Sequence, residues 1–202
     1  MKQVQDHYFK LAKKEGYPAR SVYKLSEAQQ KYRLLKMGDR VLDIGCQPGS
    51  WSMFAAKVVG PGGLIVGVDI NDGQKIQVTR AAAIKIFCAD IMSTEVTGLL
   101  QSAAPDFQVM ISDLAPRTTG NRWADQQKSL TLSRRVLELA KDLLCQGGNF
   151  YCKVFEGEDF RDFYEEVKSQ FAMAKIFKPK SSRSESREVY ILAMGYSKRM
   201  GG

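Results

Sequence analysis

Between Val41 and Trp51 the chain reads Val-Leu-Asp-Ile-Gly-Cys-Gln-Pro-Gly-Ser-Trp, and no other stretch limits its fold as strongly. Val41 to Ile44 form a short, mostly apolar run with the chemistry of a buried strand. Gly45, Pro48 and Gly49 then turn the backbone sharply and let a ligand approach it closely, before an apolar helix runs from Trp51 to Val59. Open α/β sheets are built from such strand-turn-helix units, and their ligands sit at the carboxyl ends of the strands.

The alternation of strand and helix continues downstream. Strands are expected at Arg40 to Ile44, Leu64 to Ile70, Ile84 to Cys88, Phe107 to Ser112 and Asn149 to Phe155, with a helix from Gln127 to Leu144 before the Gly147-Gly148 turn. Helix Glu158 to Gln170, strand Ala174 to Lys178, the loop Pro179 to Arg187 and strand Glu188 to Gly195 follow. Two strands joined by a loop without a helix pair antiparallel. Upstream, residues 1 to 40 read as helical, with a break at Tyr17-Pro18 and a long segment from Ala19 to Leu35. The expected fold is α/β: a Rossmann-like, mostly parallel seven-stranded sheet with a C-terminal antiparallel hairpin and an N-terminal helical extension.

Composition narrows the chemistry. The 202 residues, 44% of them hydrophobic, suffice for one buried core. No run approaches the roughly 18 apolar residues of a membrane span, and the N-terminus is too polar for a signal peptide, so a cytoplasmic protein is expected. Cys46, Cys88, Cys145 and Cys152 show no metal-site spacing and read as reduced thiols, and no metal is expected. With His7 as the single histidine, a general base must come from Lys, Asp, Glu, Tyr or Cys.

The net charge of +8 is concentrated at the ends. Residues 1–40 hold ten Lys/Arg against four Asp/Glu, and residues 173–202 hold seven against two. Basic flanks around a mildly acidic body point to a polyanion bound where the two ends meet, or to charges that serve solubility alone.

The glycine turn suits two cofactor classes. A dinucleotide site wants Gly-x-Gly-x-x-Gly, whereas this chain has Asp43-x-Gly45-x-x-Pro48-Gly49. That order resembles the first motif of the S-adenosylmethionine (SAM) methyltransferases. Acids follow at successive strand ends: Asp69, placed for ribose hydroxyls, Asp90, placed for an adenine amino group with Ile91 against the ring, and Asp113.

Four segments together resemble the FtsJ/RrmJ family of RNA ribose 2′-O-methyltransferases: Asp43-x-Gly-x-x-Pro-Gly-x-Trp51, Ser112-Asp113-x-Ala115-Pro116, Lys153-Val154-Phe155-x-Gly157-Glu158, and Ser181-Ser182-Arg183-x-x-Ser186-Arg187-Glu188-Val189-Tyr190. Arg20-Ser21 with Tyr23-Lys24-Leu25 matches as well, and the resemblance spans about residues 16–196. It implies a methyltransferase domain over 39–197, between a basic helical extension at 1–38 and a basic tail at 198–202. It implies SAM as cofactor, held by Asp43, Gly45, Pro48, Gly49, Trp51, Asp69, Asp90, Ile91 and Asp113, and a Lys24, Asp113, Lys153 and Glu188 tetrad as the catalytic group. The implied substrate is RNA, above all a uridine ribose of large-subunit ribosomal RNA, methylated by a monomer. Transfer RNA or a cap is the alternative substrate. Cys46, Gln47 and Ser50 stand where bacterial members carry Ala, Ala and Gly.

The tetrad suits the implied reaction. A ribose hydroxyl is a poor nucleophile and a sulfonium methyl is already activated, so the protein must align the two and accept a proton. Lys153 is the expected base. Burial and the second cation Lys24 disfavour its ammonium, while Asp113 and Glu188 favour it. Expected phosphate contacts are Arg20, Lys31, Arg33, Lys178, Lys180, Arg183 and Arg187, with Tyr23 and Tyr190 as stacking or core residues. Arg117 to Arg122 read as a mobile lip over the site. Outside this class, the same scaffold suits a non-catalytic RNA-binding factor; a nicotinamide oxidoreductase is disfavoured by the missing third glycine.

Overall fold

A computed structural model of the chain describes residues 2–73, 76, 78–183 and 185–197, with side chains from residue 7 onward. The expected tail at 198–202 lies outside the described residues. The elements run α1 (Lys2–Lys14), α2 (Val22–Tyr32), β1 (Arg40–Ile44), α3 (Ser50–Val59), β2 (Leu64–Asp69), β3 (Ala83–Cys88) and α4 (Val96–Ala103). They continue with β4 (Phe107–Ser112), α5 (Arg122–Leu143), β5 (Leu144–Phe155), α6 (Phe160–Lys168), β6 (Phe171–Phe177) and β7 (Glu188–Tyr196).

The strands form one seven-stranded sheet in the order β3-β2-β1-β4-β5-β7-β6. Pairs among β1 to β5 are parallel, and β7 is antiparallel to both β5 and β6. The expected hairpin is therefore present with a swap of position: β7 inserts beside β5, and β6 takes the edge. This places Glu188 directly opposite Phe155, and Tyr190 opposite Lys153.

Side-chain alternation splits each central strand between two cores. Leu42, Met110 and Phe150 face the layer of α4, α5 and α6. Val41, Val109 and Tyr151 face the layer of α2 and α3. Both faces are covered, so β1 and β4 show almost continuous burial rather than a wet and a dry side.

Several boundaries differ from expectation for local reasons. Helix α2 stops at Tyr32 because Arg33 adopts a left-handed conformation (φ 52°) and closes the helix onto the Gln29 carbonyl. Helix α5 starts at Arg122 rather than Gln127, because the Asn121 side chain accepts from the backbone N–H groups of Trp123 and Ala124. Gly147-Gly148 lie inside β5, where the register with β4 shifts, rather than in a turn before it. Helix α4, eight residues long and interrupted by Gly98, has no clear signal in the sequence pattern.

Candidate active site

The glycine turn after β1 is shaped by close approach. Gly45 has φ 78°, and a Cβ there would overlap the side chain of Leu114, which follows β4. The turn, β2, β3 and β4 together border a cleft of about 360 Å³ lined by Gly45, Gln47, Asp69, Asp90, Ile91 and Asp113 among others. Asp69 organises its floor. Its Oδ2 accepts from the Gln47 N–H at 3.1 Å, and its Oδ1 accepts from the Asn71 backbone and side-chain nitrogens at 2.9 and 2.8 Å.

The remaining residues assigned to the cofactor loop lie elsewhere. Asp43 is buried beneath the turn and accepts from Ser52 Oγ at 2.6 Å. Burial pushes its carboxyl up to about 7; the Asp113 and Asp69 charges add to the rise, and the Ser52 hydrogen bond opposes it. Pro48 is exposed, and Gly49 is covered by Ile76. Trp51 turns away from the cleft, contrary to expectation. Its indole N–H donates to the Ser21 carbonyl at 2.8 Å, and its ring stacks on Tyr151 at 5.5 Å. It is a brace for the N-terminal segment.

That bracing brings Lys24 to the sheet. Tyr151 Oη donates to the Lys24 carbonyl at 3.0 Å, Ser50 Oγ accepts from the Ala19 N–H at 2.8 Å, and Tyr190 stacks on Tyr151 at 4.7 Å. Ser50, unusual for its position, thus docks the segment that carries Lys24.

The four tetrad residues converge at the C-terminal ends of β4 and β5 and the start of β7. Lys24 Nζ lies 2.7 Å from Glu188 Oε1 and 3.9 Å from Asp113 Oδ1. Lys153 Nζ donates to Asp113 Oδ1 at 3.0 Å and also to the Asp113 carbonyl. Lys153 and Lys24 are 6% and 8% exposed, so both cations need these partners. Tyr190 Oη completes the set, donating to Asp113 Oδ1 at 2.5 Å.

Of the two readings open for Tyr190, stacking face or core residue, the structure shows the core one. It is fully buried and offers no face to a base. It stands two residues from Glu188 on β7, and the strand period alone puts both on one face. Burial of Asp113 works to raise its pKa, but Lys153, Lys24 and the hydrogen bonds from Tyr190 and Lys153 outweigh it and hold the carboxyl below its ordinary value. Asp113 itself borders the cleft. Lys153 keeps one further N–H, or a lone pair when neutral, for a bound hydroxyl.

The two basic flanks meet beside this group. Arg20 donates to the Ser181 carbonyl at 3.2 Å, and Glu27 on α2 accepts from the backbone N–H groups of Lys180 and Ser181 at 2.7 and 2.9 Å. Lys31, Lys180 and Arg183 are exposed around this junction, and Arg33 is exposed at the far end of α2. Lys178 donates to the Ser186 carbonyl at 2.6 Å, and Arg187 to the Arg122 carbonyl at 2.9 Å. Tyr23 packs on Tyr8 at 5.2 Å with its hydroxyl on Glu15.

The lip after β4 is exposed as expected, yet it is anchored. The Asp125 carboxylate accepts from Thr119 N, Thr119 Oγ1 and Gly120 N at 2.7, 2.9 and 3.2 Å. Gln47 lines the cleft, while its side-chain nitrogen is buried against Gly73 without a hydrogen-bond partner among the described residues. Carboxylates at three strand ends, bordering one cleft beside the glycine turn, fit a cofactor with ribose hydroxyls, as SAM has. No group of three His, Cys, Asp or Glu among the described residues is placed to hold a metal ion.

Comparison with known proteins places the chain in a family. A family profile described as FtsJ-like methyltransferase matches residues 17–196. The chain is 48% identical over 198 residues to the ribosomal RNA large subunit methyltransferase E of Desulfotalea psychrophila, covering 98% of each. It is 44% identical over 198 residues to the protein of the same name from Desulfosudis oleivorans, covering 98% of this chain and 93% of that one. A Plasmodium falciparum structure described as a ribosomal RNA methyltransferase shares the fold, with a TM-score of 0.76 at 24% identity over 89% of this chain and 98% of that one. Over residues 17–196, from the segment that carries Lys24 to the last strand, the chain belongs to the FtsJ-like methyltransferase family.

Proposed function

We propose that this protein transfers a methyl group from SAM to a ribose 2′-hydroxyl of RNA, and that its substrate is a uridine of the large-subunit (23S-type) ribosomal RNA. The observation that carries the reading is the meeting of Lys153, Lys24 and Tyr190 on one oxygen of Asp113 at the border of the cleft. SAM supplies a methyl group already activated by its sulfonium. Asp69 would hold the ribose hydroxyls of the cofactor, Asp90 and Ile91 its adenine, and the turn at Gly45 and Gln47 its aminoacyl end.

The tetrad handles the other reactant. Asp113 fixes the Lys153 amine through two acceptors, so that its remaining site points to the incoming 2′-hydroxyl. Lys153 would take the proton of the bound 2′-hydroxyl, and the cofactor, when bound, would supply the methyl group and keep the electron pair of the broken carbon–sulfur bond. Lys24 and Glu188 form the opposite wall and compensate each other's charge, which leaves a site of two cations and two carboxylates. Alignment of two bound reactants supplies most of the acceleration in such a design, and the positioned base adds roughly 10²- to 10⁴-fold. The RNA lies across the junction of α2 with the Pro179 to Arg187 loop, its phosphates neutralised by Lys31, Lys180, Arg183 and neighbouring cations.

The names of the relatives favour ribosomal RNA over the alternative substrates. The test uses purified protein, methyl-labelled SAM and large-subunit RNA from cells lacking the protein. Label recovered in a 2′-O-methyluridine nucleotide after complete digestion supports the proposal; label confined to base carbons or nitrogens, or to transfer RNA, refutes it.

A further inference from the structure

We infer that Trp123 is a stacking platform for an unpaired base of the RNA, close to the nucleotide whose ribose is methylated. The inference rests on the RNA substrate proposed above. Trp123 is 62% exposed, whereas Trp51 is 3% exposed and committed to the core. A single exposed aromatic is ordinary on a surface; what marks Trp123 is its place on a capped helix start tied to the strand that carries Glu188.

Its placement is built. Asn121 Oδ1 accepts from the Trp123 and Ala124 N–H groups, each at 3.1 Å, and Asp125, 5% exposed, ties down Thr119 and Gly120. Arg187, the residue before Glu188, donates to the Arg122 carbonyl at 2.9 Å and couples the tip of α5 to the tetrad strand. The helix measures the distance to the chemistry. Ser133 Oγ donates to the Lys153 carbonyl at 2.9 Å, and Ser129 Oγ accepts from the Phe155 N–H at 3.1 Å. Trp123 lies ten residues before Ser133, about 15 Å along the axis, so α5 carries the indole past the strand ends and onto the rim.

The surroundings favour a nucleotide over an apolar peptide. Arg122, exposed and next to Trp123 in the chain, offers a cation to a phosphate beside the indole, and Arg117 lines the cleft itself. Sequence-specific RNA recognition relies on unpaired bases stacked on aromatic rings, and the capped backbone at Trp123 fixes where its ring is presented. Tyr190, a candidate for this task by sequence, is sealed in the core.

With two tryptophans in the chain, one buried and one exposed, iodide quenching of intrinsic fluorescence reports Trp123. Unmethylated large-subunit RNA should shield the quenchable fraction, and SAM alone should leave it open. Trp123→Ala should raise KM for RNA on the order of tenfold with kcat unchanged, since base stacking contributes about 1 to 3 kcal/mol per base. Trp123→Phe should keep most of the affinity and Trp123→Leu should lose it. Unchanged KM in the alanine variant, shielding by SAM alone, or full affinity in the leucine variant overturns the inference while leaving the methyltransferase reading intact. Failure of the wild-type protein to methylate any RNA overturns both.

Discussion

Replacing Lys153 separates its two roles, as counterion to Asp113 and as acceptor of the hydroxyl proton. Lys153→Ala removes the donor to Asp113 Oδ1 and to the Asp113 carbonyl together. Breaking a buried pair costs roughly 3 to 5 kcal/mol. Here Asp113 keeps Tyr190 Oη at 2.5 Å and Lys24 at 3.9 Å, and its side chain is 20% exposed, so the loss of stability should fall below that range. The variant should therefore fold. It should lose on the order of a hundredfold or more in single-turnover methyl transfer at saturating SAM. SAM affinity should hold, because Gly45, Asp69 and Asp90 are untouched. Lys153→Arg restores the cation, and with it most of the stability, but a guanidinium stays protonated and cannot act as the base. It should be nearly as inactive as the alanine variant while melting close to wild type. Near wild-type turnover in Lys153→Arg would refute the assignment of Lys153 as base and leave it a charge that holds Asp113.

Further consequences can be measured independently. Asp69→Ala should weaken SAM binding by calorimetry by about tenfold or more, since hydrogen bonds to a charged acceptor contribute roughly 1.5 to 3 kcal/mol each; an unchanged dissociation constant would remove Asp69 from the site. Replacing Lys31, Lys180 and Arg183 together should flatten the slope of log RNA affinity against log salt by up to about one unit for each phosphate no longer neutralised, and an unchanged slope would make these charges solubility features. Asp43 gives a pH signature. Its folded pKa of about 7 lies above the unfolded value near 3.8, so its contribution to stability is complete below the unfolded value and is lost as pH rises through the folded one. Across that window wild type should lose stability relative to Asp43→Asn at up to about 1.4 kcal/mol per pH unit. Parallel curves for the two proteins would contradict the burial argument.

What could be read from the sequence was what local chemistry decides. The apolar run broken by Gly45, Pro48 and Gly49 announced a strand and a ligand turn, and acids at successive strand ends marked the cleft that Asp69, Asp90 and Asp113 do border. Long-range packing decided the rest. Trp51 sits in a cofactor motif, but its direction is set by Ser21, thirty residues away, and by the ring of Tyr151. The basic flanks were evident as sums of charge, while their junction depends on Glu27 meeting Lys180 and Ser181 across more than 150 residues. The start of α5 was legible and missed, since Asn121 is a strong helix cap. Tyr190 was named as a stacking or core residue, but its hydrogen bond to Asp113, which its spacing from Glu188 on β7 makes possible, was not foreseen.

The central claim is methylation of a ribose hydroxyl in large-subunit ribosomal RNA, and site-by-site mapping of 2′-O-methyl groups tests it most directly. Ribosomal RNA from cells with the protein, without it, and with the Lys153→Ala variant should be compared at every nucleotide. The account predicts one uridine of the large-subunit RNA that is methylated only when wild-type protein is present. A large-subunit RNA whose 2′-O-methyl groups are the same in all three, or a site restored in full by Lys153→Ala, would contradict it.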